Sequence, residues 1–206
     1  MGDNGLSDEA IRYYRHVHFL GNGKREPQWR GTRVVKFPQD LILYAQVIFK
    51  RRPDYLIETG THFGGSALFF GDMLQLSGGK KVFSIDVSHK FDPPKHPLVE
   101  HILGSSTDPA IVERIRREVA GAKVMATLDS DHSTKHVLAE LHAYKDIVTR
   151  GQYMVVEDCW TRHKKPYEPW YAVKQFLKES TQYKRFDLEK QFIYAVTKDG
   201  WLRRQQ

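Results

Sequence analysis

The chain has 206 residues, 40% of them apolar and 28% charged, which suits one packed α/β domain and excludes wholesale disorder. The formal net charge is +7, but the basic residues are scattered in pairs such as Arg51-Arg52 and Lys164-Lys165, so no block marks a nucleic-acid-binding tail. One cysteine, Cys159, excludes an internal disulfide; with the polar start Met1-Gly2-Asp3-Asn4-Gly5 and no apolar run long enough to span a bilayer, it sets the expectation of a cytoplasmic chain without signal peptide or membrane span.

Asp8 to Phe19 reads as a short amphipathic helix and Gly21 to Thr32 as a loop rich in Gly, Lys, Arg and Pro. A helix is predicted over Pro38 to Arg51, with Leu41, Tyr44, Ala45, Ile48 and Phe49 on its apolar face and Pro53 ending it. Strands and helices then alternate. Tyr55 to Glu58, Lys81 to Asp86, Val99 to Leu103, Lys123 to Asp129 and Tyr153 to Glu157 read as strands. Gly65 to Leu76, Asp108 to Val119, Ser133 to Ile147 and Trp170 to Leu177 read as helices, and Phe192 to Thr197 as a last strand. This alternation predicts an α/β, Rossmann-like, doubly wound and mostly parallel sheet with helices on both faces, whose ligands sit at the carboxyl ends of the strands.

The turn from the first of these strands into its helix is Glu58-Thr59-Gly60-Thr61-His62-Phe63-Gly64-Gly65-Ser66, and Asp86 ends the next strand. Gly60, Gly64 and Gly65 suit a tight turn and close backbone approach, and Thr61 and Ser66 flank them. The spacing is not the dinucleotide fingerprint. A carboxylate at Glu58 suits the cationic amino group of a methionine moiety, and Asp86 suits a pair of ribose hydroxyls. A nucleoside cofactor is therefore expected, S-adenosylmethionine ahead of NAD. Asp129 ends the fourth strand near the cofactor's sulfonium end or the acceptor. Ser105 and Ser106 follow the third strand where an adenine edge would be read, although helix capping explains them equally well.

Asp131, Glu157 and Asp158 fall after neighbouring strands, so the fold is expected to bring three carboxylates together. Such acids repel unless protonated or bridged by a cation, and oxygen ligands favour magnesium, with manganese or calcium as alternatives. His132 and His136 are four apart, but no third ligand supports zinc. His132 beside Asp131 is instead a candidate general base, or a plain helix-start histidine.

These residues resemble the cephalosporin hydroxylase / rhamnosyl O-methyltransferase family of class I methyltransferases. The likeness lies in Val35-Lys36-Phe37-Pro38-Gln39-Asp40, Ile57 to Ala67, Leu128-Asp129-Ser130-Asp131-His132-Ser133, Val155-Val156-Glu157-Asp158 and the tail from Phe192 to Arg203. The resemblance implies a seven-stranded methyltransferase fold over residues 36–206; residues 1–35 differ in composition and read as an N-terminal extension, with a lid and an oligomer contact as its candidate roles. It implies S-adenosylmethionine, with Lys36 among the cofactor-binding residues, and a magnesium site at Asp131, Glu157 and Asp158. The segment Cys159 to Trp170 is unusually basic and aromatic, and Trp160, His163 and Tyr167 are candidates to stack on the acceptor. The expected activity is metal-dependent O-methylation of a sugar or natural-product hydroxyl. An RNA methyltransferase and an NAD-dependent oxidoreductase are the alternatives. The expected partners are a small-molecule or sugar acceptor and further copies of the chain.

Overall fold

A computed structural model describes residues 27–89, 91–159, 161–162, 165–166, 168–192, 195 and 197–206. The expected helix over Asp8 to Phe19 lies outside them. A two-strand hairpin, β1 (Gln28–Trp29) and β2 (Thr32–Arg33), precedes α1 (Pro38–Arg51). Then follow β3 (Tyr55–Thr59), α2 (Gly65–Ser77), β4 (Lys81–Asp86), β5 (Val99–Leu103), α3 (Pro109–Glu118), β6 (Val124–Leu128), α4 (Thr134–Tyr144) and β7 (Tyr153–Val156). The chain continues with the short pair β8 (Thr161–Arg162) and β9 (Lys165–Pro166), α5 (Glu168–Glu179), β10 (Tyr183–Arg185), a 3-10 turn (Leu188–Gln191) and β11 (Trp201–Arg204).

Seven strands form one sheet in the order β10-β11-β7-β6-β3-β4-β5. β3 to β7 are mutually parallel, and β11 runs against both β7 and β10. From β3 the chain winds outward through β4 and β5, then returns to β6 and β7 on β3's other side. The strand order therefore reverses at β3/β6, which is where such sheets hold ligands.

Alternation along each strand divides the core. Ile57, Phe83, Ala126 and Met154 pack with Ile115 of α3, Leu141 of α4 and Phe176 of α5. Their neighbours Leu56, Val82, Met125 and Val155 pack with Tyr44 of α1 and Phe70 of α2. Pro38 occupies the first turn of α1, and Arg52 closes it in a left-handed conformation. Asp108 and Ser133 accept backbone N–H groups at the starts of α3 and α4, as capping residues do.

Three expectations change. α1 buries Leu41, Leu43, Tyr44, Val47 and Ile48, whereas Phe49 is 45% exposed. The helix turns Tyr44 onto both Phe70 and Trp201, 5.0 and 5.1 Å between ring centres, and this rotates Phe49 outward. The loop expected up to Thr32 contains the hairpin, whose Trp29 packs edge-on to Phe69 and donates its indole N–H to Asp72 at 2.7 Å. Packed structure therefore lies on both sides of residue 35. The strand expected over Phe192 to Thr197 falls partly outside the described residues, and the strand that enters the sheet is β11. Thr197 sits in a turn, where its hydroxyl donates to Asp40 at 2.7 Å. No helix among the described residues is long and apolar enough to cross a membrane.

Candidate active site

The carboxyl ends of the parallel strands open into a cleft of about 540 Å³, within the roughly 300–1,000 Å³ of small-molecule sites. Gly60 to Ser66 form its base, with Asp86 on one wall and Asp129, His132 and Asp158 on another. Gly60 has a φ of 87°, and a Cβ there would lie 1.9 Å from the Asp129 carbonyl oxygen. A Cβ on Gly65 would lie 2.2 Å from the Arg33 carbonyl oxygen. Gly60 makes the tight turn expected of it, both glycines admit the chain's own backbone, and both line the cleft.

Asp86 stands at the cleft wall as expected. Its two carboxylate oxygens accept the His62 and Ser88 backbone N–H groups at 2.9 and 3.0 Å. Each oxygen keeps a second lone pair, so the group is oriented without being used up.

Glu58 departs from its expected place. It is fully buried, and Ser84 donates to its Oε2 at 2.6 Å while Thr61 bonds Ser84 at 2.7 Å. Burial pushes its pKa up to about 7 against the opposing pull of Lys36, Ser66 and Ser84. It lies outside the cleft lining, and among the described residues its Oε1 accepts no hydrogen bond.

Lys36 is the hub of the site. It is 2% exposed, and its Nζ donates to Asp129 at 2.7 Å and to Glu157 at 2.8 Å. Burial disfavours its charge, but Asp129, Glu157 and Glu58 outweigh that and hold its pKa well above the ordinary lysine value. Glu157 also accepts the Tyr44 hydroxyl at 2.6 Å. Burial pushes Glu157 up to about 7 despite Lys36. Burial acts in the same direction on Asp129, but Lys36 and His132 hold it below the usual carboxylate range.

Of the three acids expected around one cation, Asp158 stands in the group the structure gathers, while Glu157 and Asp131 make other contacts. Glu157 is committed to Lys36 and Tyr44. Asp131 is exposed, and its carboxylate accepts the Ser133 backbone N–H at 2.7 Å because it sits two residues before that N–H at the entrance to α4. The group whose ligand atoms lie within 4.8 Å of one another is Asp129, His132 and Asp158. His132 Nε2 is 3.2 Å from Asp129, and Nδ1 is 3.4 Å from Asp158. Its hydrogen bond to Asp129, aided by Asp158 and opposed by burial, pushes its pKa up to about 9. This arrangement favours the protonated imidazole, which opposes the general-base role, whereas loss of that proton would free the ring for it.

Ser105 and Ser106 line the cleft, but their hydroxyls are engaged internally. Ser105 bonds Thr107 at 3.0 Å, and Ser106 donates to Glu140 at 2.6 Å. Trp160, His163 and Tyr167 lie outside the described residues. Sequence reasoning missed Tyr44, which reads as a plain core position, and Glu140, which no local motif marks.

The seven-stranded sheet with β11 reversed, its helices on both faces and its acid-rich cleft at the β3/β6 switch define a Rossmann-like α/β methyltransferase fold. An apo structure of CmcI matches all of this chain and 90% of its own at 21% identity and a TM-score of 0.69. MycE, from the mycinamycin biosynthetic pathway, matches 98% of this chain and 63% of its own at 14% identity and a TM-score of 0.60. The family model described as Rhamnosyl O-methyltransferase/CmcI matches residues 24–205, and the chain belongs to that family. A rhamnosyl O-methyltransferase of Mycobacterium leprae (strain TN) is 40% identical over 161 residues, which is 75% of this chain and 68% of the relative. The namesake of Mycobacterium tuberculosis (strain ATCC 25618 / H37Rv) is also 40% identical, and the match spans 64% of its length.

Proposed function

We propose that this protein transfers the methyl group of S-adenosylmethionine to a hydroxyl of a sugar or natural-product scaffold, with a divalent cation beside the acceptor. The observation that carries the reading is the division of one cleft into a ribose-facing wall at Asp86 and a cation-attracting corner at Asp129, His132 and Asp158. The relatives are named for methylation of a rhamnosyl oxygen. Related structures hold CmcI with Mg and SAM, and MycE with Mg, SAH and mycinamycin VI. In the reaction the acceptor oxygen forms a bond to the methyl carbon, the carbon–sulfur bond breaks, its electrons return to sulfur and the hydroxyl proton leaves.

Asp86 orients the nucleoside. Lys36 neutralises Asp129 and Glu157 and keeps the corner rigid. The hard oxygens of Asp129 and Asp158 fit magnesium. Asp158 belongs both to this corner and to the ligand set implied by the family resemblance, so it is the ligand assigned with most support, while Asp131 and Glu157 are the family-implied alternatives to Asp129 and His132. When bound, such an ion would acidify an acceptor hydroxyl, as zinc takes bound water from about 15.7 to about 7. A cytoplasmic setting suits the single buried thiol of Cys159.

Calorimetry with S-adenosylhomocysteine and with NAD, each with and without magnesium, tests this. Binding of S-adenosylhomocysteine is expected. Tight NAD binding with no S-adenosylhomocysteine binding would transfer the case to a dehydrogenase.

A further inference from the structure

A second buried acid stands behind the cleft. Glu140 of α4 is fully buried, and its Oε1 receives the hydroxyls of Ser106 and Ser130, each at 2.6 Å. Among the described residues its Oε2 has no hydrogen-bond partner. His136, one turn earlier on α4, places Nε2 3.1 Å from the Ser106 hydroxyl and 3.6 Å from Glu140. Tyr144 fixes the same loop by donating to the Ser106 carbonyl at 2.6 Å. Ser106, Ser130 and His136 line the cleft, whereas Glu140 does not.

Hydrogen-bond counting gives this arrangement a direction. A hydroxyl has one proton, and a carboxylate can only accept. Ser106 and Ser130 therefore both donate to Glu140 and turn only lone pairs elsewhere. The Ser106 oxygen must then accept from His136, which places the hydrogen on Nε2. The result is a cleft wall built of acceptors. Its Ser106 follows β5, the strand paired with β4, whose end carries Asp86, and its Ser130 follows β6. A ribose held by Asp86 leaves this wall for the base.

Resting on the S-adenosylmethionine reading above, we propose that Glu140 is a positioning residue that makes the Ser106/Ser130 wall acceptor-only, and that this wall selects the 6-amino edge of adenine over a 6-keto base. A site committed to a donor rejects a base that brings an acceptor instead, because buried polar groups are left unpaired. A leucine in place of Glu140 removes the oxygen that accepts both serines, which releases their protons toward the cleft.

Dissociation constants for S-adenosylhomocysteine and S-inosylhomocysteine, measured by calorimetry, test the proposal in wild type, Glu140→Leu and Ser130→Ala. Wild type is expected to prefer the adenosyl compound by about tenfold or more, the equivalent of one well-made hydrogen bond. Both variants are expected to bring the ratio several-fold closer to one, with thermal melts confirming the fold. A purely structural Glu140 would weaken both ligands equally and leave the ratio unchanged, which overturns the proposal. If Glu140→Leu does not fold, the ratio in Ser130→Ala, where Glu140 stays in place, decides alone. Binding by wild type without discrimination overturns this inference only; no binding of either compound overturns the methyltransferase reading and this inference with it.

Discussion

Replacing Lys36 with methionine keeps the aliphatic stem and removes the charge at the centre of the carboxylate cluster. Asp129 and Glu157, bonded to Nζ at 2.7 and 2.8 Å, lose their lysine partner, and Glu58 loses the cation that counters its burial. Removing one partner of a buried ion pair costs about 3–5 kcal/mol, because the other charge stays buried without compensation. For a domain of this size that corresponds to a fall in melting temperature of about 6–20 °C. The loss depends on pH with a definite sign. Glu58 and Glu157 have folded pKa values of about 7, above the ordinary 4.5, so they bind protons more tightly in the fold. Their contribution to stability is present below about 4.5 and is lost as pH rises through about 7. Without Lys36 their ionisation is more costly still. Lys36→Met is therefore expected to be far less stable than wild type at pH 8 and closer to it at pH 5.5, where both acids are protonated. Thermal melts followed by circular dichroism at the two pH values measure this. A melting temperature within about 2 °C of wild type at pH 8, or a deficit no smaller at pH 5.5, would refute the reasoning.

Asp86→Asn keeps the size of the side chain but removes its charge, and replaces one acceptor oxygen with a donor. Affinity for S-adenosylhomocysteine is expected to fall by about tenfold or more in calorimetry, since hydrogen bonds to charged groups contribute about 1.5–3 kcal/mol. The imidazole of His132 is expected to titrate near pH 9 by NMR rather than near 6.5, because Asp129 and Asp158 hold its proton. Magnesium is expected to lower that value, and a titration that magnesium leaves unmoved would remove the cation from this corner. Asp158→Asn is expected to abolish any rise in melting temperature on adding magnesium. Asp131→Asn separates the ligand sets: it keeps the rise if Asp129 and His132 complete the site and loses it if Asp131 does.

Much of the fold was legible because its signals are local. Pro38 and Pro53 bracket α1, Asp108-Pro109 opens α3, and apolar runs ending at Asp86 and Asp129 mark strands that converge at one edge. The last strand was misplaced because the apolar run ending at Thr197 carries the stronger local signal, whereas Trp201–Arg204 brings two arginines into an edge region of the sheet. The site was half legible. Acids after neighbouring parallel strands had to approach one another, and Asp86 stands where expected. Their division of labour was not visible, because it is set by Lys36, 93 residues from Asp129 and 121 from Glu157. That lysine bonds both Asp129 and Glu157, and Asp129 also pairs with His132. The pairing of Glu140 with Ser106 and Ser130 was hidden in the same way, since only the packed fold shows that a helical glutamate faces inward.

The central claim is methyl transfer to oxygen. The most direct measurement incubates the purified protein with methyl-labelled S-adenosylmethionine and rhamnosyl acceptors, with magnesium and with EDTA. Label is expected on an acceptor hydroxyl, formed in step with S-adenosylhomocysteine, and lost with EDTA and in Asp158→Asn. Full transfer by EDTA-treated protein would contradict the metal corner; a rhamnosyl panel that stays unlabelled with magnesium present would contradict methyl transfer to a sugar oxygen.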